Sequence, residues 1–288
     1  MTENARGSIL VETGRITEIE AFDGDQVILR VAAPGIAPRA KAGHFIHLRC
    51  APGLMMRRPM SIMRSDGESL EILFKVHGTG TRELARRSVG EAISLIGPIG
   101  RPFRQAGHRS RPLLIGGGVG IPPMVFLAEH LRTTNVRPFV IMGSEVPFPF
   151  TVKPSQILTP MLPGHVIGSM PLLEDWGIPC RLASQQGYAG CFEGFVTELA
   201  DLWIEGHDES ERGQIEIYAC GPTPMLQAVA ALARKHDVPC QVSLEEYMAC
   251  AVGGCAGCAV KIRTPDGPAM KRVCVDGPVF EAADVVFD

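Results

Sequence analysis

Four cysteines near the end of the chain are spaced C-x4-C-x2-C and then, after fifteen intervening residues, C: Cys250, Cys255, Cys258 and Cys274. That is the ligand order of a plant-type [2Fe–2S] site, in which four thiolates hold two irons. Three ligands from one short loop must converge, so the chain has to bend sharply. Gly253, Gly254 and Gly257 lie between them, free of a Cβ, and their N–H groups can face cluster sulfurs. Zinc sites are usually built from two close C-x2-C pairs or from cysteine and histidine together. Here the fourth cysteine has no close partner and no histidine lies between Glu246 and Pro278. The spacing therefore favours the cluster over a zinc site or a set of buried thiols. Such a cluster carries one electron at a time, so the rest of the chain should supply a donor and an acceptor.

Two earlier segments carry phosphate-binding chemistry. In Arg57-Arg58-Pro59-Met60-Ser61-Ile62, paired guanidinium groups match phosphate oxygens and a hydroxyl follows. The bland alternative is a solvated basic face. In Val76-His77-Gly78-Thr79-Gly80-Thr81, a glycine turn precedes a helix whose first N–H groups can bind phosphate, or it is only a turn. Further on, Leu113-Leu114-Ile115-Gly116-Gly117-Gly118-Val119-Gly120-Ile121-Pro122-Pro123 reads as strand, glycine loop and helix start. It lacks the G-x-G-x-x-G fingerprint, but its glycines allow close approach of a pyrophosphate. Tyr218-Ala219-Cys220-Gly221-Pro222 ends another apolar strand. That puts Cys220 at the carboxyl end of a parallel strand, where such sheets bind ligands, or makes it a small core residue.

The elements that must position these groups fall into three parts. Up to about Arg104 the chain reads as short strands: Ile9–Glu12, Arg15–Ala21, Gln26–Val31, Phe45–Arg49, Ser61–Arg64, Leu70–Val76 and Ala92–Ile96. Turn signals separate them, and one helix covers Thr81–Ser88. That pattern predicts an antiparallel barrel or sandwich. From Leu113 the order strand, loop, helix, strand, with the later strand Gln214–Ala219 and helix Leu226–Lys235, predicts a doubly wound parallel sheet. The stretch 144–179 holds seven prolines and predicts irregular backbone, either a functional cover or a solvated insertion.

The 288 residues, 45% of them hydrophobic, allow two ordinary domains and a small appendage. A net charge of −3 gives no reason to expect a nucleic-acid or anionic-membrane partner. Five further cysteines at irregular spacing (Cys50, Cys180, Cys191, Cys220, Cys240) suit reduced thiols in the cytosol. The first residues show no apolar signal region, and the apolar run Pro112–Ala128 is too interrupted by Gly and Pro for a membrane span.

Taken in order, Arg-Pro-Met-Ser-Ile, Gly-Thr-Gly-Thr, Leu-Ile-Gly-Gly-Gly-Val-Gly-Ile-Pro-Pro, Tyr-Ala-Cys-Gly-Pro and Glu-Glu-Tyr-Met-Ala-Cys through Val-Cys-Val-Asp-Gly-Pro-Val-Phe resemble one family. It is the electron-transfer subunit of class 1B, NAD-dependent dihydroorotate dehydrogenase, within the ferredoxin–NADP reductase superfamily. The resemblance implies a β-barrel plus α/β chain. Residues 1–106 would form an FAD-binding barrel. Residues 107–240 would form a pyridine-nucleotide domain carrying the 144–179 insertion, and 241–288 a small [2Fe–2S] domain. It also implies that Arg58, Pro59, Met60 and Ser61 contact FAD, with Arg58 on the pyrophosphate and Ser61 near the ring. Leu73, Phe74 and Lys75 would line the cofactor, and Gly80 and Thr81 would hold its phosphates. Gly116, Gly117, Gly118 and Gly120, with Gly221 and Pro222, would receive NAD(H), and Cys220 would stand at the nicotinamide. In the family, a separate FMN-containing catalytic subunit oxidises dihydroorotate to orotate in pyrimidine biosynthesis. Electrons then run from FMN through the cluster and FAD to NAD⁺, in a heterotetramer of two copies of each chain. The insertion departs from the compact family pattern. It leaves open a related diaphorase subunit of an NAD(P)H:ferredoxin oxidoreductase or a hydrogenase complex.

Overall fold

The computed structural model describes residues 9–105 and 109–287; the boundary expected at 106/107 lies outside the described residues. Six strands close the first barrel: β1 (Leu10–Phe22), β2 (Gln26–Ala32), β3 (Phe45–Leu48), β4 (Arg58–Ser65), β5 (Ser69–Lys75) and, after helix α1 (Thr79–Ala85), β6 (Ala92–Ile99). Their order is β1-β2-β5-β4-β3-β6, all antiparallel, with β6 returning to β1. The alternation that suggested strands fills the barrel: Leu29, Ile46, Leu48, Ile62, Leu70, Ile72 and Leu95 are fully buried. Closure leaves no edge to pair with another chain. The two strands expected at Ile9–Glu12 and Arg15–Ala21 are one, β1, because a register shift between Ile16 and Glu18 absorbs the break in pattern.

The second unit follows the expected winding: β7 (Arg111–Gly117), α2 (Ile121–Leu131) and β8 (Phe139–Gly143), with Pro122 and Pro123 in the first turn of α2. The proline-rich stretch then adds only β9 (Lys153–Pro154), β10 (Gly168–Ser169) and the short α3 (Pro171–Asp175). Order returns with β11 (Cys180–Ala183), α4 (Val196–Glu205), α5 (Glu209–Arg212), β12 (Ile215–Cys220), α6 (Thr223–Lys235) and β13 (Cys240–Ser243). The chain ends in a hairpin, β14 (Ala259–Thr264) with β15 (Gly267–Arg272), and a last strand β16 (Val279–Glu281). The sheet order is β11-β8-β7-β12-β13-β16, parallel except for β16. Its central strand β12 is buried along its whole length, Glu216 included, because both faces are covered. β13 crosses the expected 240/241 boundary and β16 returns to the same sheet, so the cysteine loop hangs from two strands of the nucleotide domain.

Barrel and sheet meet along β4 and α2, where Arg64 reaches Glu129 at 3.0 Å. The 144–179 stretch seals this seam. Gln26 Nε2 donates to the Pro147 carbonyl at 2.7 Å. Trp176 lies between the guanidinium groups of Arg64 and Arg132, 5.4 and 5.2 Å from its ring.

Candidate functional site

The cysteine loop is exposed from Gly254 to Gly257, while Cys258 and Cys274 are buried. The four sulfurs form two pairs. Cys258 and Cys274 Sγ stand 3.3 Å apart. Cys250 Sγ accepts from the Gly254 and Cys255 N–H groups at 3.3 and 3.4 Å and neighbours the Cys255 thiol. Gly257 N–H faces Cys255 Sγ at 3.5 Å. The turn requires positive φ at Ala251, Gly253 and Ala256. Burial pushes the Cys250 thiol up, but the N–H groups of Val252, Cys255 and Gly254 outweigh it and bring it down to about 7. Cys274 is pushed up to about 12 by burial and then by Cys258 beside it. A single tetrahedral zinc would gather all four sulfurs within about 3.8 Å of one another. Among the described residues, the one group of three metal-ligating atoms that all lie within 4.8 Å of one another is Asp201, Glu205 and His236, not the cysteines. Two separated pairs fit two irons with two thiolates each. The Asp201 triad already holds a cation: Lys235 Nζ lies 2.6 Å from Asp201 and 2.9 Å from Glu205.

The two phosphate-binding segments come together. β4 begins at Arg58, and its guanidinium packs so closely on Gly80 that a Cβ there would stand 3.0 Å from Nε. Thr81 Oγ1 accepts from His77 N–H at 2.6 Å and fixes the turn. Pro59 and Ser61 are half-buried on β4, Met60 is buried, and Lys75 is exposed at the end of β5. Leu73 and Phe74 are both buried, on opposite faces of β5. Arg57 is committed elsewhere, donating to the carbonyls of Ser94 at 2.8 Å and His47 at 3.2 Å. Of the arginine pair, Arg58 is therefore the one turned toward Gly80.

At the carboxyl ends of the parallel strands, Gly116 on β7 pairs with Cys220 on β12. A Cβ on Gly120 would overlap the Cys220 carbonyl, and Gly117 and Gly221 both pack on Met225. These glycines are small because protein crowds them. Gly118 differs: it has φ +53 and nothing near its missing Cβ, so it is the point of the loop that a ligand can approach. Cys220 is fully buried, and burial, then the Glu245 charge, raises its thiol well above the ordinary value. It is a neutral thiol there. Glu245, just past β13, is exposed at the surface, yet the protein packed around its carboxyl pushes it up to about 7. In the sequence Glu245 is only a flank of the cysteine motif, and no local pattern sets it apart. Loops after β8 and β11 enclose a cleft of about 590 Å³ lined by Phe22, Phe148, Phe150 and Tyr188, with Asp23 and Lys153 also on its wall.

Residues 245–286 match the family described as the iron–sulfur cluster binding domain of dihydroorotate dehydrogenase B. The chain is 34% identical over 246 residues to "Dihydroorotate dehydrogenase B (NAD(+)), electron transfer subunit" of Caldanaerobacter subterraneus subsp. tengcongensis, covering 85% of this chain and 87% of that protein. It is 33% identical over 261 residues to the protein of the same name from Desulforamulus reducens, covering 89% and 90%. Among solved structures it is similar to an NADH-dependent reduced ferredoxin–NADP oxidoreductase (TM-score 0.78, 24% identity, 96% of this chain and 91% of that one). It is also similar to the ferredoxin reductase of carbazole 1,9a-dioxygenase (TM-score 0.62, 20% identity, 80% and 67%). These two likenesses fix the ferredoxin-reductase-like fold. With identity above 30% over most of both chains, this chain belongs to the family of the electron transfer subunit of dihydroorotate dehydrogenase B (NAD(+)).

Proposed function

We propose that this chain carries electrons between NAD(H) and a catalytic partner subunit that oxidises dihydroorotate to orotate, with FAD and a [2Fe–2S] cluster between them. The observation that carries the reading is the pairing of Cys250 with Cys255 and of Cys258 with Cys274 on a loop that meets solvent at Cys255. Nicotinamide exchanges a hydride, a [2Fe–2S] cluster exchanges single electrons, and a flavin handles both. Arg58, with Gly80 and Thr81, would hold the FAD phosphates. Pro59, Met60 and Ser61 on β4, with Leu73, Phe74 and Lys75 on β5, would line the flavin. Gly118 would admit the pyrophosphate of NAD(H), while Gly116, Gly117, Gly120, Gly221 and Pro222 shape the loop around it. Cys220 would pack as a neutral thiol near the nicotinamide, and Glu245 would hold a proton beside it. The units 1–106, 107–240 and 241–288 remain the working division between flavin, nucleotide and cluster.

The partner would carry FMN and assemble two-plus-two with this chain. Support for a docking face comes from Tyr247 and Val252, exposed by 93% and 44% beside the cysteines, as exposed apolar groups at a redox centre suit a protein contact. The five cysteines outside the cluster set, all buried and none in a disulfide, support a reducing cytoplasmic setting. No described helix is long and apolar enough to cross a membrane. The test is purification of the chain alone and with the catalytic subunit encoded by the same organism. Iron, sulfide and flavin analysis should give two irons, two sulfides and one FAD per chain. Dihydroorotate-dependent NAD⁺ reduction should need both chains; activity from this chain alone, or stoichiometric zinc, would overturn the reading.

A further inference from the structure

His47 is 1% exposed, and neither ring nitrogen completes a hydrogen bond. A buried polar group left in this condition calls for an explanation. Its position supplies one. On β3, His47 alternates with Ile46 and Leu48, which fill the barrel, so it shares the outer face with Phe45. Phe45 packs into the second core, the one containing Met248, Ala251, Cys258 and Cys274. The register pairs His47 with Pro59 and Phe45 with Ser61, and directly opposed residues point to the same side. The ring therefore lies between the β4 segment assigned above to the flavin and the root of the cysteine loop. Two backbone carbonyls face it, that of Arg57 before the flavin segment and that of Met248, two residues before Cys250. Burial, then the charge of Arg57, pushes its pKa down to about 4, so at neutral pH the ring is uncharged and has one N–H to give.

We propose that His47 is the positioning residue that ties the cysteine loop to the flavin-binding strand, its single N–H reaching the Met248 carbonyl and holding the loop at the distance over which flavin and cluster exchange electrons. This rests on the flavin and cluster assignments made above. The flavin, when bound, would accept a hydride and pass electrons singly to the cluster, so the gap His47 spans would bear only on the exchange between flavin and cluster, not on reduction by NADH. An apolar side chain would fill the same space without leaving buried nitrogens unpaired, which is why the choice of histidine is informative.

His47→Leu and His47→Gln separate positioning from packing. Both should bind flavin and iron as the native chain does and reduce a dye from NADH at the native rate. His47→Leu should melt near the native temperature, because the one hydrogen bond it loses is offset by removal of the second ring nitrogen, which is buried and unpaired. It should nevertheless slow bleaching of cluster absorbance after mixing with one equivalent of NADH by at least about tenfold, the scale on which small misplacements act. Amide hydrogen exchange across residues 249–257 should rise with it. His47→Gln, which keeps a donor, should restore both readouts to within about threefold. Native bleaching and exchange in His47→Leu, or equal slowing in both variants, would overturn the role of His47. If His47→Leu lost its cofactors, a native His47→Gln would still support the role, and a slowed one would refute it. A native chain without iron or flavin would instead overturn the cofactor assignment itself.

Discussion

The cysteine loop and the 144–179 stretch are both largely irregular backbone, yet opposite forces hold them. Between Gly254 and Gly257 the cysteine loop buries almost nothing. It is shaped by N–H groups aimed at Cys250 and Cys255 and by Arg272, which donates to the Gly253 carbonyl at 2.9 Å. The proline-rich stretch is fixed by apolar anchors: Phe148, Leu162, Val166, Met170 and Leu173 are buried. It is also fixed by buried Arg181, which donates to the Ile157 carbonyl at 2.6 Å. One loop is organised around ligands, the other around packing. Substitutions that remove a ligand or an anchor should therefore fail in different ways.

The largest effect is expected at the ligands. Cys255→Ser should abolish the electron paramagnetic resonance signal of the reduced chain, since three thiolates do not hold a two-iron cluster firmly. NADH-to-dye activity through the flavin should persist, because Arg58 and Gly80 lie in the barrel and share no contact with Cys255. A native signal in this variant would remove Cys255 from the ligand set.

Phe148→Ala breaks the other side of the comparison. The ring is 5% exposed and meets Phe150 and Tyr188 at centroid distances of 5.4 and 6.5 Å. Its loss should cost about 3–4 kcal/mol, read as an earlier tryptophan transition in urea, with iron content unchanged. Loss of iron together with the earlier transition would show that the two loops are coupled after all.

The contrast also explains what could be read in advance. The convergence of Cys250, Cys255, Cys258 and Cys274 in one place was legible because such spacing is local and chemically specific. The barrel and the parallel sheet were legible because their strands alternate or run apolar throughout. The packing of 144–179 was not, because Trp176 finds Arg64 and Arg132, and Pro147 finds Gln26, across distances that no local pattern encodes. Gly118 could not be told from Gly117 and Gly120, since which glycine faces open space depends on where the Cys220–Gly221 turn lands. Glu245 was hidden for the same reason: only the fold sets it beside Cys220.

Glu245 offers an intermediate effect. An unfolded glutamate releases its proton near 4.5, but the protein crowded around the carboxyl of this exposed side chain holds the proton until about 7. Folding therefore takes up a proton between those values, and the ionised form is disfavoured in the native chain. The resulting penalty is absent below about 4.5, grows as pH rises and is complete above about 7, so stability falls across that window. Glu245→Gln should lose this slope. If the proton serves hydride exchange, native NADH-to-dye rates should drop as pH passes 7, while the variant stays slower by about tenfold and flat. Parallel pH profiles in the two proteins would show that Glu245 takes no part.

The smallest effect is expected at Glu145, where the insertion leaves the nucleotide sheet. The turn after β8 is tightly set: Ser184 Oγ donates to the Ser144 carbonyl at 2.7 Å, and Ser144 Oγ accepts from Val146 N–H at 3.3 Å. Ser144 is thereby buried and Glu145 is exposed at the carboxyl end of the strand, where a doubly wound sheet meets the adenosine ribose. A carboxylate there accepts from a ribose hydroxyl and repels a 2′-phosphate, and no arginine stands in Gly143-Ser144-Glu145-Val146 to receive one. NADH should be preferred to NADPH by about tenfold or more in kcat/KM, roughly 1.4 kcal/mol. Because Glu145 is exposed, the preference should shrink as salt screens the charge. Glu145→Arg should narrow or invert the ratio and leave cluster and flavin content untouched. A native preference for NADPH, or a ratio indifferent to both salt and Glu145→Arg, would place selectivity elsewhere. The cleft behind Phe148 would then be the next region to probe, since it opens from the same turn.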